Sequence, residues 1–334
     1  MEETVFDRRA LLIDAAAEAE RIAAGLRDAV HRQLHRQGAV VGISGGVDSS
    51  VVLALAVKAF GADRVAAVMM PERESSPDSV VLAGKVSEHF GVDPLLEDIT
   101  AALEGAGCYR RRDEAVARIF PGFGPGWKTK ITIPGSLLED NTLNVFQITA
   151  VRPDGRILSE RIPLQEYRQI VAASNLKQRT RMAVLYYHAE LRHYAVIGTG
   201  NRNEHGQGFF VKYGDGGVDV QAIAHLFKTQ VYQLAAFLGV PEEVCGRTPT
   251  TDTYSAGSSQ EEFFFRVPFE VLDLVWLGLE RGVADEEIGK ALGLTAEKVG
   301  RVKADIVRKQ RTTAYLRQAP LILSMHATSF VKLV

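Results

Sequence analysis

"AVVGISGGVDSSVVLALAVKAF" (residues 39–60) sets a short apolar run, two glycines, three serines and an aspartate before a second, longer apolar stretch. Ala39 to Ile43 suits a strand buried on both faces. From Ser49 onward, Val51, Leu53, Leu55, Val57 and Phe60 mix with alanines, and a helix is expected over 49–60. Gly45 and Gly46 permit a tight turn and a close backbone approach. The amides of the turn and of the first helical turn then point outward beside a partial positive charge, a site suited to a phosphate. No Lys precedes the Ser as a Walker A loop requires, and the pattern is not GxGxxG. The stretch offers instead the hydroxyls of Ser44, Ser49 and Ser50 and the carboxylate of Asp48. A carboxylate beside phosphates is repelled unless a cation lies between them, so Asp48 implies Mg²⁺. A strand-to-helix turn with capping serines is the simpler alternative.

The chain has 334 residues, enough for one large domain or two. Charged residues at 24% and hydrophobic ones at 46% fit an ordinary soluble protein, and a net charge of −2 gives no argument for nucleic acid or an anionic membrane. Cys108 and Cys245 are far apart and unpatterned, which suits a reduced, cytoplasmic protein. The N-terminal stretch lacks the basic end and apolar core of a signal peptide. No run reaches the ~18 apolar residues of a membrane span. His188 and His193 fall on different helix faces and HExxH is absent, so no zinc site is expected.

Working outward, residues 7–36 read as one amphipathic helix and "RVAAVMMP" (64–71) as a second apolar strand. A helix capped by Ser76 or Asp78 ends near Gly91, and "VDPLLEDI" (92–99) is a weaker strand. The alternation predicts a doubly wound α/β fold with a parallel sheet. Residues 121–166 interrupt it: a Gly/Pro loop, then "NVFQITAV" and "RILSERIPL" joined at "RPDG", read as an inserted β-hairpin. A helix follows over 167–194, then a strand at 195–198. The polar, Gly-rich 198–223 is too long for an ordinary linker and is expected to be functional. "HLFKTQVYQLAAFLGV" is helical, and "TPTTDTYSAGSSQEE" reads as a mobile small-residue loop. "ADEEIGKALGLTAEKVGRVKADIVRKQ" has a helix–turn–helix shape, for which helical packing is a better account than DNA binding. Its cations Arg301, Lys303, Arg308, Lys309 and Arg311 suit a solvated face or a phosphate contact.

The SGGVDSS loop resembles the ATP-pyrophosphatase group. "NLKQRTRM", "GTGNRNE", "GFFVKYGDGGVD", "HLFKTQVYQLA" and "PTTDT" stand in the order and spacing of NAD synthetases, and the chain resembles that family over roughly residues 20–275, less the insertion. The resemblance implies an adenine-nucleotide alpha-hydrolase-like domain over 1–275 and a C-terminal helical segment over 276–334. It implies a ligase that uses ATP to adenylate the nicotinate carboxylate of deamido-NAD, with ammonia then displacing AMP. By resemblance, Ser44, Gly45, Gly46, Asp48 and Ser49 hold the ATP phosphates, and Asp48 and Glu204 hold Mg²⁺. Arg179, Thr199, Lys228 and Thr250 match nucleotide-contacting positions. Lys212, Asp215 and Asp219 match residues of the acceptor and ammonia region, with Asp215 receiving the ammonium proton.

Each has a simpler reading: a cap or turn former for Asp48 and Asp215, and a solvated charge for Glu204, Lys212 and Lys228. Of Arg179 and Arg181 only one can face the site. "SSQEEFFFRVPFE" departs from the family's Asp-Glu pattern, although Glu261 and Glu262 can supply an acidic pair, and the family's basic C-terminal element survives only loosely as "RKQRTT". Neither Cys has a nucleophile setting for hydrolysing glutamine, so nitrogen is expected as free ammonia or from a separate amidotransferase. The family implies a homodimer. The rival readings are the same chemistry on a different carboxylic acid, and a nucleotide-binding regulator acting through its C-terminal helices.

Overall fold

The computed structural model describes residues 6–139, 146–251 and 254–323. In chain order its elements are α1 (Ala15–Arg27), β1 (Ala39–Gly42), α2 (Val47–Phe60), β2 (Val65–Met69), α3 (Pro77–His89), β3 (Pro94–Leu96), α4 (Thr100–Gly105) and α5 (Cys108–Ile119). Next come β4 (Lys128–Thr132), β5 (Gln147–Val151), β6 (Ile157–Arg161), α6 (Leu164–Arg192), β7 (Ala195–Gly198), α7 (Arg202–Gln207), β8 (Val220–Gln221), α8 (Lys228–Leu238) and α9 (Glu242–Cys245). A short ribbon of β9 (Thr250–Thr251) and β10 (Ser258–Ser259) leads to α10 (Phe269–Glu280), α11 (Asp285–Leu292) and α12 (Ala296–Thr312).

The central sheet is parallel, in the order β3-β2-β1-β7-β8, with Ala39 of β1 opposite Val65 on one side and Ala195 on the other. From β1 the chain winds one way through β2 and β3, and β7 and β8 extend the opposite side. Helices α1, α2 and α8 share one core with Val41, Ile43 and Ala67. On the other face Val40, Ala66 and Val196 pack with Met182 and Leu185 of α6. Both faces of β1 are therefore dry, which is why it reads as an unbroken apolar run.

Two local expectations need correction. The single helix over 7–36 is broken, because Leu12 is extended and the Asp14 side chain accepts from Ala17 N at 3.0 Å to start α1 afresh. A wide π turn at Asp28–Gln33 follows it. Helix α2 begins at Val47, two residues earlier than expected, because Gly46 takes the extended N-cap conformation, so Asp48 stands in the first turn. Gly45 has φ +75, and a Cβ there would lie 2.8 Å from Ser79 O. Only glycine fits.

The expected hairpin is present as β5 and β6, paired from Gln147↔Arg161 to Val151↔Ile157. A third strand, β4, pairs with β5 on its other edge. It was hidden by the Gly/Pro composition before it, although the buried Thr129 and Ile131 alternate with Lys128 and Lys130. In the C-terminal region α11 and α12 meet at Gly293, φ +70. Lys303 binds Asp285 at 2.6 Å, Lys309 binds Asp305 at 2.7 Å, and Arg308 also pairs with Asp305. Two carboxylates, Asp285 and Asp305, thus hold these three cations within the chain, so packing accounts for the two helices better than a nucleic-acid face. Among the described residues no helix is long and apolar enough to cross a membrane.

Candidate functional site

Strands β1 and β7 are neighbours where the sheet's winding reverses. Open α/β sheets bind ligands in the crevice outside the carboxyl ends at such a point. A cavity of about 600 Å³ opens there, with Ser44, Gly45, Gly46, Asp48 and Ser49 on one wall and Thr199, Glu204 and Lys228 on another. The turn after β1 is held by its own hydroxyls. Ser44 Oγ accepts from Gly46 N at 3.3 Å, and Ser49 and Ser50 donate to Gly46 O at 3.0 and 2.9 Å. The N-terminus of α2, with its partial positive charge, opens on this cavity.

Asp48 forms an ion pair with Lys228 and accepts from Asn201 Nδ2 at 2.9 Å. The Lys228 side chain is only 1% exposed, which excludes its solvated reading. Burial works against its charge, but Asp48 and then Glu204 outweigh burial and raise its pKa. Glu204 accepts from Asn201 N at 3.1 Å and from Gln260 Nε2 at 3.1 Å. Burial and then the charge of Asp48 push its carboxyl up to about 8, with Lys228 pulling the other way. Asn201 and Glu204 also form a capping box at the start of α7, so the glutamate both caps a helix and faces the cavity.

Lys228 is the first residue of α8, and its position is held from below. Its backbone N–H donates to Asn203 Oδ1 at 2.9 Å, and Asn203 Nδ2 donates to Asp273 at 2.6 Å. Thr229 N donates to the other oxygen of Asp273 at 2.9 Å. Asp273, buried on α10, is raised to about 6 by that burial, against these donors.

Asp215 also lines the cavity; its carboxylate accepts from Val211 N at 2.8 Å, and burial raises it to about 6. Of the two arginines on α6, Arg181 lines the cavity and donates to Met70 O at 3.2 Å. Arg179 instead donates to Lys212 O at 3.3 Å. Lys212 Nζ donates to Tyr315 O at 2.9 Å and Gln318 O at 2.7 Å, holding the chain that follows α12. Asp219 accepts from Tyr186 OH at 2.9 Å and Val196 N at 2.8 Å, tying α6 to β7. Arg179, Lys212 and Asp219 are not among the residues lining the cavity. Thr250 enters only through its backbone, paired with Ser259; its side chain, Asp252, Thr253 and the Glu262 side chain lie outside the described structure. An aromatic end completes the cavity, with Phe146 stacked on Tyr167 at 4.5 Å.

Asn201, Asn203, Gln260 and Asp273 were not among the expected site residues. Asn201 and Asn203 sit inside the quoted "GTGNRNE". Asp273 left a weaker signal, a lone carboxylate in the apolar "FEVLDLVW".

The NAD synthase family matches residues 18–115 and 137–320. The chain is 49% identical over 319 residues to an NH(3)-dependent NAD(+) synthetase of Rhizobium meliloti, covering 96% of this chain and 95% of that one. It is 36% identical over 287 residues to the enzyme of the same name from Thermotoga maritima, covering 85% and 92%. Among solved structures, the NH3-dependent NAD synthetase of Campylobacter jejuni in complex with the nitrate ion shares the fold, with a TM-score of 0.60, 20% identity and coverage of 93% and 100%. A buried Asp–Lys pair at the sheet's switch point, and a match running through nearly the whole length, make this chain a member of the NAD synthase family of ligases.

Proposed function

We propose that the protein makes NAD from deamido-NAD, ATP and ammonia. The observation that carries this reading is the convergence of Asp48, Lys228 and Glu204 at the carboxyl ends of β1 and β7. The nicotinate carboxylate attacks the α-phosphorus, the bond to the β-phosphate breaks and pyrophosphate leaves. Ammonia then attacks the carbonyl carbon, the bond to AMP breaks, and the amide forms. Lys228 balances charge on the departing pyrophosphate, as a buried cation in a site of low dielectric can. The Ser44–Ser49 turn and Thr199 hold the triphosphate, with the backbone at Thr250 closing the same side. Arg179 serves the nucleotide and Lys212 the acceptor from outside the cavity lining, and Asp219 fixes the strand beside it. Asp215 attracts ammonium and receives its proton.

Mg²⁺ fits the donor set. Asp48 and Glu204 are two carboxylates on one cavity that would hold the ion, and burial and then the charge of Asp48 raise Glu204, which a cation between them would relieve. Such an ion supplies neutralisation of the phosphate charge. Ammonia arrives free or from a separate amidotransferase. The exposed Tyr187 and Leu191, one turn apart on α6, suit a twofold contact with a second copy, which sedimentation would test.

A second reading, amidation of a different carboxylic acid, is favoured by Phe146, a residue of the insertion that lines the cavity. Pyrophosphate release measured with deamido-NAD, with and without ammonium, separates the two. Acceptor-dependent release with NAD formed supports the first. A folded protein that binds ATP and leaves deamido-NAD untouched supports the second.

A further inference from the structure

The insertion sheet has two edges, and they are used differently. Every residue of β6, on one edge, is exposed. On the other, Thr129 of β4 turns its backbone away from β5 and towards the segment that follows β9. Thr129 N donates to Ser255 Oγ at 3.0 Å, and Ala256 N donates to Thr129 O at 3.0 Å. Tyr254 is buried in the cluster that holds Ile131 and Ile148 of the sheet, and its ring meets Phe263 edge-on at 5.5 Å.

A second seam lies further along the same connection. Ser136 Oγ and Leu137 N both donate to Arg266 O, at 3.2 and 3.1 Å. The Arg266 guanidinium returns bonds to Gly135 O at 3.1 Å and Pro134 O at 3.3 Å. Between the two seams stands Gln260. Its backbone N–H donates to Pro249 O at 2.9 Å, and its side chain donates to Glu204 at 3.1 Å.

We propose that the insertion is an intramolecular brace: β4 and the 134–137 segment grip the connection between α9 and α10, and Gln260 carries that fixed position to the Glu204 carboxylate. Gln260 is thereby a positioning residue for the phosphate end of the cavity. The same contacts occupy the outward N–H and C=O of the buried Thr129, so at that residue the edge strand has no backbone groups left to offer another chain. The kinetic consequence rests on the reading of this cavity as an ATP site, whereas the mechanical one does not.

The test uses the full chain in four forms: Ser255→Ala, Gln260→Ala, both together, and Ile157→Ser on the exposed β6 edge. Ser255→Ala should speed amide exchange at Thr129 and Ala256 roughly tenfold, as local opening becomes easier. Ser255→Ala and Gln260→Ala should each lower kcat for pyrophosphate release by about fivefold, the worth of one hydrogen bond. KM for deamido-NAD and the melting midpoint should hold steady. The double variant should lose no more than the worse single one, because both act through one connection. Unchanged exchange in Ser255→Ala, multiplying losses in the double variant, or an equal loss in Ile157→Ser would each overturn the brace. If the unaltered protein releases no pyrophosphate with deamido-NAD, the proposed function fails, and the exchange result still decides the brace.

Discussion

Asn201 donates its side-chain nitrogen to Asp48 at 2.9 Å from a position without solvent exposure, while its own backbone N–H is held by Glu204 at 3.1 Å. One buried amide residue thus orients both proposed Mg²⁺ carboxylates. Losing a hydrogen bond to a charged group costs about 1.5–3 kcal/mol. Asn201→Ala should therefore slow pyrophosphate release roughly ten- to hundredfold, and the lost helix cap should cost about 1 kcal/mol of stability. Turnover within twofold of the original would remove Asn201 from the machinery.

Asp48 and Lys228 should differ in stability when mutated, though both changes abolish pyrophosphate release. Asp48→Asn strands a lysine charge that is 1% exposed, and breaking such a buried pair costs about 3 kcal/mol or more. Lys228→Met leaves Asp48 16% exposed to water and still bonded to Asn201, so its penalty is smaller. Urea unfolding of the two variants reads the order directly. The reverse order would mean that Asp48 carries the larger desolvation cost.

As the proposed acceptor of the ammonium proton, Asp215 should give the activity an acid limb. Its carboxyl is raised to about 6 by burial, so it is ionised at neutral pH and protonated below that value. A group that must accept a proton from ammonium then fails as pH falls through 6, and kcat/KM for ammonia should drop about tenfold per unit. Asp215→Asn should be slow and lack this limb. A limb that persists in the variant belongs to another group.

Asp273 makes a separate, structural pH dependence. Its folded value of about 6 lies above the ordinary 3.8 because of burial. The folded state therefore holds the proton more tightly, and this contribution is fully present below 3.8 and lost as pH rises through 6. The difference in melting midpoint between the original protein and Asp273→Asn should shrink, in the original's disfavour, between pH 4.5 and 7. A constant difference across that range would place the Asp273 titration elsewhere.

What could be read from the sequence follows from contiguity. The β1 strand, the glycine pair and α2 adjoin in the chain, so apolar runs and turn chemistry foretold the strand, the turn and the place of Asp48 on it. Lys228, 180 positions from Asp48, entered only through family resemblance as a group near the phosphates, and its pairing with Asp48 was not foreseen. Asn203, inside a quoted motif, and Asp273, a lone carboxylate in an apolar run, were passed over, since a buried amide and a buried acid acquire meaning only through the distances of 2.6 to 2.9 Å that the fold creates. Strand β4 was masked by the glycines and prolines before it, and the break before α1 by an alanine-rich pattern that continues through the Asp14 cap. Of the two arginines the resemblance pointed to Arg179, but the turn of α6 takes Arg181 to the cavity and Arg179 to Lys212 O.

The 180-position reach between Asp48 and Lys228 also governs when competence appears during synthesis. A growing chain that has released β1 and α2 exposes the phosphate turn long before α8 leaves the ribosome. Distant contacts form after local ones. Nascent fragments thus hold an aspartate without its counter-cation until roughly two-thirds of the chain is assembled.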